Sequence, residues 1–393
     1  MLCTWQHHCH SYTNDLRKRD EVPPPKGMTY MEYTPASAVI LIPSLEPDER
    51  LPAYVRKLRE RGFTQAVIVN DGSSEKYQPI FDQVAAIEGV TVLKHEVNRG
   101  KGCALKTGYT YIRAHMPVAS GVITADADGQ HTVEDCWKLA EALTEEKRVM
   151  YLGSRDFDLP NVPPKSRFGN KTTSAVFKLL YGQWLPDTQT GLRAFRREDL
   201  QFMIDVPGER FEYEMQVLIA CARAGIDMVP ITIETVYENE NEGTHFHPIR
   251  DSYRIYKVIL GNFVKFMGAS IISFLIDFTL LTLLANLVFP AVAHGAFFAK
   301  VLARCVSAPC NFWMNSKYVF EKKMSKDTFI RYIILAVFIM LISAVGVDSI
   351  MNWLKLPKLI VGLVGIVVDV VLYLVSYRVQ NKWVFPPEKA DKE

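Results

Sequence analysis

The chain has 393 residues, 49% of them hydrophobic and 22% charged, with a net charge of +2 and a mean hydropathy of +0.03. At roughly 150 residues per domain that is two or three domains, and the composition excludes a collagen-like fibre, a disordered chain and a small disulfide scaffold. The averages conceal a division: 14 Lys and Arg against 8 Asp and Glu follow Ile259, which leaves 31 against 35 before it.

Residues 1–35 are polar, are broken by Pro23-Pro24-Pro25, and lack an apolar run of the secretory type. They read as a disordered or non-native extension, with Met28 or Met31 as the alternative start. Cys3, His7, His8, Cys9 and His10 are metal-type residues, but their spacing matches no zinc pattern. The seven cysteines are scattered, odd in number and outside any CxxC, which fits reduced thiols.

From Ala38 apolar strands alternate with amphipathic helices. Strands are predicted at 38–43, 66–70, 90–94, 121–125 and 149–153, and helices at about 49–61, 75–87, 101–115 and 133–147. Continuous apolar strands separated by helices predict an α/β domain around a mainly parallel sheet. Ligands bind such sheets beyond the carboxyl ends of the strands, and the chemistry-bearing residues fall there. The first strand ends at Pro43 and runs into Glu46, Pro47 and Asp48. The second ends in Asn70-Asp71-Gly72-Ser73, where an Asp can accept bonds from a base or ribose. Asn98-Arg99-Gly100-Lys101-Gly102 opens a helix; it is not a Walker A motif, but small residues and a Lys at a helix start suit an anion.

The fourth strand ends in Asp126-Ala127-Asp128-Gly129-Gln130-His131. Two carboxylates and an amide oxygen make a hard-oxygen set suited to Mg²⁺ or Mn²⁺ carrying a diphosphate. An EF-hand would need a Glu where Trp137 stands. Pro163 to Tyr181 is basic with one apolar helix face, as an interfacial helix is. Asp187-Thr188-Gln189-Thr190-Gly191 follows.

Beyond Ile259 four apolar stretches, at about 263–289, 296–316, 329–351 and 359–380, are each long enough to span a bilayer. Lysines concentrate after the second and fourth spans, so the positive-inside rule places both ends in the cytoplasm. The half repeats itself. Phe263-Val264-Lys265-Phe266 matches Phe329-Ile330-Arg331-Tyr332. Asn315 to Phe320 (NSKYVF) matches Gln380 to Phe385 (QNKWVF) at an offset close to 65. Asp277, Lys300, Arg304, Asp348 and Asp369 lie within the spans, where ionisable groups are costly and are functional candidates by default. Asp277 or Asp369 is expected to pair with Arg304; such a pair also serves helix packing alone.

In order, Pro43, Asn70 to Ser73, Asn98-x-Gly-Lys-Gly, the Asp-x-Asp-Gly-Gln-His block, Gly153-Ser154-Arg155, Ser166-Arg167 and Asp187-x-Gln-x-Gly191 resemble glycosyltransferase family 2 enzymes of the GT-A fold. The likeness is to the polyprenyl-phosphate hexosyltransferases, including dolichyl-phosphate mannosyltransferase. The C-terminal half resembles the GtrA family of four-span proteins. The resemblance implies a GT-A domain over 36–258, a four-helix membrane domain over 259–385 and a cytoplasmic tail over 386–393. It implies that Pro43, Glu46, Asp48, Asp71, Lys101 and Asp126 hold the nucleotide-sugar, and that Asp126, Asp128 and Gln130 hold Mg²⁺ or Mn²⁺. It also implies that Arg155, Ser166 and Arg167 meet the lipid phosphate. Asp128, Asp187 and Arg155 are the implied catalytic residues, with Asp187 a positioner rather than a base.

One departure is that Glu46-Pro47 stands where the family carries Asn-Glu, so Glu46 or Asp48 must replace the displaced Glu. The expected donor is UDP-glucose, with GDP-mannose second, and the acceptor a polyprenyl phosphate. No nucleic-acid partner is expected, and a homo-oligomer is allowed. The alternatives are a translocase of the lipid-linked sugar and a processive polysaccharide synthase. The latter is disfavoured, since no Gln-x-x-Arg-Trp string is present.

Overall fold

The computed structural model describes residues 34–143, 148–160, 162–234, 248–289, 295–355 and 361–386. The expected extension over 1–35 (but for Thr34 and Pro35), the first interhelical loop from Pro290, and the tail beyond Pro386 lie outside these residues. The chain divides into two compact units. One holds the chain up to Ala175 together with Trp184–Ile255; the other holds Val176–Gln183 and the chain from Tyr256 onward.

The first unit contains β1 (Val39–Ser44), α1 (Arg50–Arg61), β2 (Gln65–Asn70), α2 (Gln78–Ala85), β3 (Val90–Lys94), α3 (Lys101–His115), β4 (Gly121–Thr124), α4 (Val133–Ala142), β5 (Val149–Arg155) and most of α5 (Pro164–Tyr181). After these come β6 (Arg193–Arg196), α6 (Leu200–Asp205), α7 (Glu212–Ala224) and β7 (Asp227–Ile233). The seven strands form one sheet in the order β3-β2-β1-β4-β6-β5-β7. β6 alone runs antiparallel, to both β4 and β5, so the α/β reading holds with two strands added. Val39 to Ile42 and Ala66 to Val69 are buried on both faces, as strands covered by helices on each side must be. At about 25 cal/mol per Å² of apolar surface, this double layer of Ile, Val and Leu is the main source of cohesion. Cys136 and Cys221 belong to it, and burial pushes both thiols up to about 12, which leaves them inert.

Two predicted helices change at their ends, and α5 keeps its predicted range but for Pro163. The stretch predicted over 75–87 begins as a 3₁₀ turn at Glu75–Tyr77 and becomes α-helical at Gln78. The stretch predicted from 133 is capped by Thr132, whose Oγ1 accepts the Asp135 N–H at 3.1 Å, and it is helical to Ala142. α5 ends in the second unit: Tyr181 Oη donates to the Ile259 carbonyl at 2.8 Å, and Arg378 Nη2 to the Lys178 carbonyl at 2.6 Å.

The second unit is built from α8 (Pro248–Leu283) from Tyr256 onward, α9 (Gly295–Met314), α10 (Lys326–Trp353) and α11 (Val361–Val379). Three of the helices end in a π-helical turn, at Leu284–Val288, Asn315–Val319 and Gln380–Val384. Tyr253–Val288, Lys326–Trp353 and Leu363–Val384 are long and apolar enough to cross a membrane. Among the described residues α9, which carries Lys300 and Arg304, is not one of these. Large apolar side chains such as Phe274, Met340 and Ile366 point outward, the reverse of a water-soluble helical bundle.

The sequence repeat is a repeat of contacts. Phe312 on α9 meets Phe329, Tyr332 and Phe385 at ring-centroid distances of 5.1, 5.4 and 5.7 Å. Tyr377, its equivalent on α11, meets Phe263, Phe266 and Phe320 at 5.3, 5.2 and 5.9 Å. Where the copies join, equivalent residues touch: Asn315 Nδ2 donates to Gln380 Oε1 at 3.1 Å, and Phe320 stacks on Phe385 at 4.9 Å.

Candidate active site

The carboxyl ends of β1, β2, β4 and β5 gather most of the predicted site residues along one edge of the sheet. Asp126 and Asp128 follow β4 in a partly buried turn. Lys101, the first residue of α3, reaches Asp126 Oδ1 at 2.7 Å and Glu214 Oε1 of α7 at 3.0 Å. Burial opposes the charge on Lys101, but the two carboxylates outweigh it and hold its pKa above the usual lysine range. Burial likewise opposes charge on Asp126; Lys101 first, and then His131 with Nε2 at 3.4 Å, outweigh it and hold this carboxyl far below the usual range. Asp128 goes the other way. Burial and then the Asp126 charge raise its pKa, although the Gln130 N–H donates to its Oδ1 at 3.0 Å.

A second cluster stands at the end of β5. Asp187 is 1% exposed and takes Arg155 as a fork, with Nε to Oδ2 at 2.7 Å and Nη2 to Oδ1 at 3.2 Å. The Gln189 N–H adds a third bond at 3.0 Å. A bidentate pair of this kind fixes the guanidinium in direction as well as charge. The loop that carries Asp187 also reaches the first cluster. Thr124 Oγ1 donates to the Gly191 carbonyl at 2.7 Å, and a Cβ on Gly191 would lie 2.5 Å from Asp126 Oδ2. Glycine is needed there for space.

The remaining predicted residues are placed as follows. Asp71 is turned inward: it accepts the Arg99 and Gly100 N–H groups at 2.9 and 2.7 Å and pairs with His95 Nδ1 at 2.7 Å. Its carboxylate thus shapes the Asn98–Gly102 loop. Gly72, at φ 75°, lets that loop close, because a Cβ would collide with the Val97 and Asn98 backbone. Pro43 lies in β1 opposite Val69. Glu46 is exposed at φ 49°, and its N–H donates to Ser73 Oγ at 2.8 Å, which stitches the β1 and β2 turns together. Asp48 is exposed and holds Arg50, a bond that lowers its pKa. Ser166 and Arg167 lie in the first turn of α5. Arg167 donates to the Phe157 and Leu159 carbonyls at 2.8 Å each, so it braces the loop after Arg155.

Two residues escaped the sequence reading: Glu214, which shares Lys101, and Asn170, which is buried and bonds the Pro186 carbonyl beside Asp187. In the second unit Asp277 takes Lys300, Arg304 and Ser307 at 2.8, 3.4 and 2.9 Å. Asp277, and not Asp369, is the partner of Arg304. Asp369 accepts from Ser343 Oγ at 2.6 Å.

Among the described residues no group of three or more His, Cys, Asp or Glu is placed to hold a metal. The site offers two carboxylates, Asp126 and Asp128. That set fits Mg²⁺, which takes one or two carboxylates and completes its shell with water and substrate phosphate. It does not fit a metal held by protein ligands alone.

The profile of Glycosyl transferase family 2 matches residues 39–203, and that of the GtrA/DPMS transmembrane domain matches 265–385. Protein MJ1222 of Methanocaldococcus jannaschii is 30% identical over 56% of this chain and 90% of its own length. The UDP-N-acetylglucosamine–dolichyl-phosphate N-acetylglucosaminyltransferase of Methanococcus voltae is 26% identical over 50% of this chain and 85% of that protein. The polyprenol monophosphomannose synthase of Mycolicibacterium smegmatis is 25% identical over 49% and 76%.

Proposed function

The chain is a family 2 glycosyltransferase with a GtrA/DPMS membrane domain, and on that premise we propose that it transfers a hexose from a nucleoside diphosphate sugar to a polyprenyl phosphate. The reading takes residues 36–258 as the transferase and 259–385 as a four-helix membrane domain, with the transferase and both termini on the cytoplasmic side. UDP-glucose is the first choice of donor and GDP-mannose the second. The dolichyl phosphate named for the Methanococcus relative and the polyprenol monophosphomannose named for the Mycolicibacterium relative support the acceptor class.

The observation that carries the reading is the joining of two charged clusters by one loop. Lys101 pairs with Asp126 and Glu214, Asp126 packs against Gly191, and Gly191 is four residues beyond the Asp187 that orients Arg155. The first cluster suits the diphosphate of the donor: Asp126 and Asp128 would hold a divalent ion, and Lys101 adds a fixed cation. The ion supplies charge neutralisation for the departing diphosphate. The second cluster suits the acceptor. A phosphate monoester has a second pKa near 6 and is mostly dianionic at neutral pH, so its oxygen can attack the anomeric carbon without a protein base. The new C–O bond forms as the bond to the diphosphate breaks, with inversion. Asp187 holds Arg155 for the attacking phosphate, and Asp71 acts through the loop it shapes. Glu46, Asp48 and Pro43 line the nucleotide side in this reading, and Ser166 and Arg167 the lipid side.

The test is a donor screen on the purified full chain with a short polyprenyl phosphate. Glucosyl or mannosyl lipid should form, and Asp128→Ala should abolish it. Near-wild-type transfer by that variant with Mg²⁺ present would refute the site.

A further inference from the structure

The two hairpins of the membrane domain place an acid and a base at equivalent positions. Asn315 and Gln380 bond each other, so the ends of α9 and α11 stand level. Arg304 precedes Asn315 by eleven residues, and Asp369 precedes Gln380 by eleven. At a rise of about 1.5 Å per residue both charges lie about 16 Å from that level, at equal depth. Each follows a buried residue of its helix, Ala303 and Val368, and so occupies the same outer flank of its own hairpin. In hairpins related by a parallel repeat these flanks face opposite ways.

The two flanks carry opposite charge. Lys300 and Arg304 share the single carboxylate of Asp277, which leaves an excess of one positive charge. Their side chains remain 47% and 65% exposed. They border a groove of about 510 Å³ between α9 and α10, with Cys305, Pro309 and Phe329 among its other walls. Asp369 lies exposed, with the Ser343 hydroxyl as its bond among the described residues. An acid in hydrocarbon is retained where a partner offsets its cost.

We propose that two copies of this chain associate in the membrane, with Asp369 of one entering the α9–α10 groove of the other to meet Arg304 and Lys300. Equal depth lets both copies keep the same height in the bilayer. The groove wall is almost wholly apolar, and the excess positive charge of Lys300 and Arg304 at its border matches the one negative charge that would enter it. The contact joins two different surfaces, so it is heterologous, and successive copies close into a ring or extend in a row.

The neighbouring residues provide the test. Val370 and Cys305 are both exposed, and each adjoins one of the paired charges. The full chain carrying Val370→Cys, oxidised in native membranes, should form a disulfide-linked dimer and a ladder of larger oligomers. That dimer should vanish when Cys305→Ser is added. Adding Asp369→Asn should reduce it at least fivefold, and Asp369→Glu should restore most of it. Subunit counting by photobleaching in dilute vesicles should show more than one copy per spot, falling to one with Asp369→Asn. Three outcomes overturn the proposal: single copies throughout, cross-linking indifferent to Asp369→Asn, or wild-type cross-linking through Cys305 alone, which would mean a like-to-like contact. A monomer that holds a phospholipid or polyprenyl phosphate in native mass spectra, and loses it with Arg304→Gln, would also overturn it and assign the groove to lipid phosphate.

Discussion

Asp187 and Asp71 are both carboxylates at the active edge of the sheet, and both are turned toward the protein. Asp187 accepts four bonds and Asp71 three, counting His95. Their work is to aim Arg155 and the Asn98–Gly102 loop. Asp187→Asn therefore should leave the domain folded but loosen Arg155, with transfer falling about a hundredfold, the scale of a small misplacement; kcat measured beside a thermal melt separates the two effects. Gly191→Ala should give a similar loss, because its methyl group would press on Asp126 Oδ2; steady-state kinetics on the folded variant checks it. The Asp-x-Asp block was legible because two carboxylates at a strand end have few other uses. Glu214 and Asn170 were not, since each is one polar residue in a helix and acquires its role only when remote segments meet. Nor could the sequence tell whether an Asp after a strand points out to a ligand or, as Asp71 does, in to a loop.

Among the elements, five strands were readable from unbroken apolar runs, and β6 and β7 were not. β6 is Arg-Ala-Phe-Arg, four residues with charges at both ends, buried because Arg193 finds carbonyl partners at Thr190 and Glu214. β7 contains Pro230, which its place at the sheet edge tolerates. Strand pairing, not local pattern, defines both. α4 illustrates a helix start that the sequence did show. Thr132 stands one residue after the Asp-x-Asp-Gly-Gln-His block, and its cap fixes where that block stops being extended. Thr132→Ala should cost about 1 kcal/mol, or a fall in melting temperature of about 2–4 °C for a domain of this size, with a larger fractional loss in activity than in stability. Calorimetry and transfer assays on the same preparation provide the comparison.

For the whole molecule, the split between an acidic first part and a basic second part is a split between two solvents. The excess of Lys and Arg after Ile259 collects near helix ends such as Lys317, Lys322, Lys323 and Lys382, where it can face anionic headgroups. Two predictions belong at this scale. Chelation of divalent ions should remove transfer, and added Mg²⁺ or Mn²⁺ should restore it, while the melting temperature moves little because Lys101 already balances Asp126; both are read on one detergent-solubilised sample. Sealed vesicles should give product only from nucleotide-sugar supplied on the side that bears the lysine-rich helix ends. The repeated hairpin has one more consequence. A packing that maps onto itself when the residue number advances by about 65 is one that a shorter gene, encoding a single hairpin, could build from two polypeptides. The aromatic joint is alike in both halves, while Ser343 and Asp369 stand in the second where the acid–base pair Asp277 and Arg304 stands in the first, so the halves share their packing and differ in their charges.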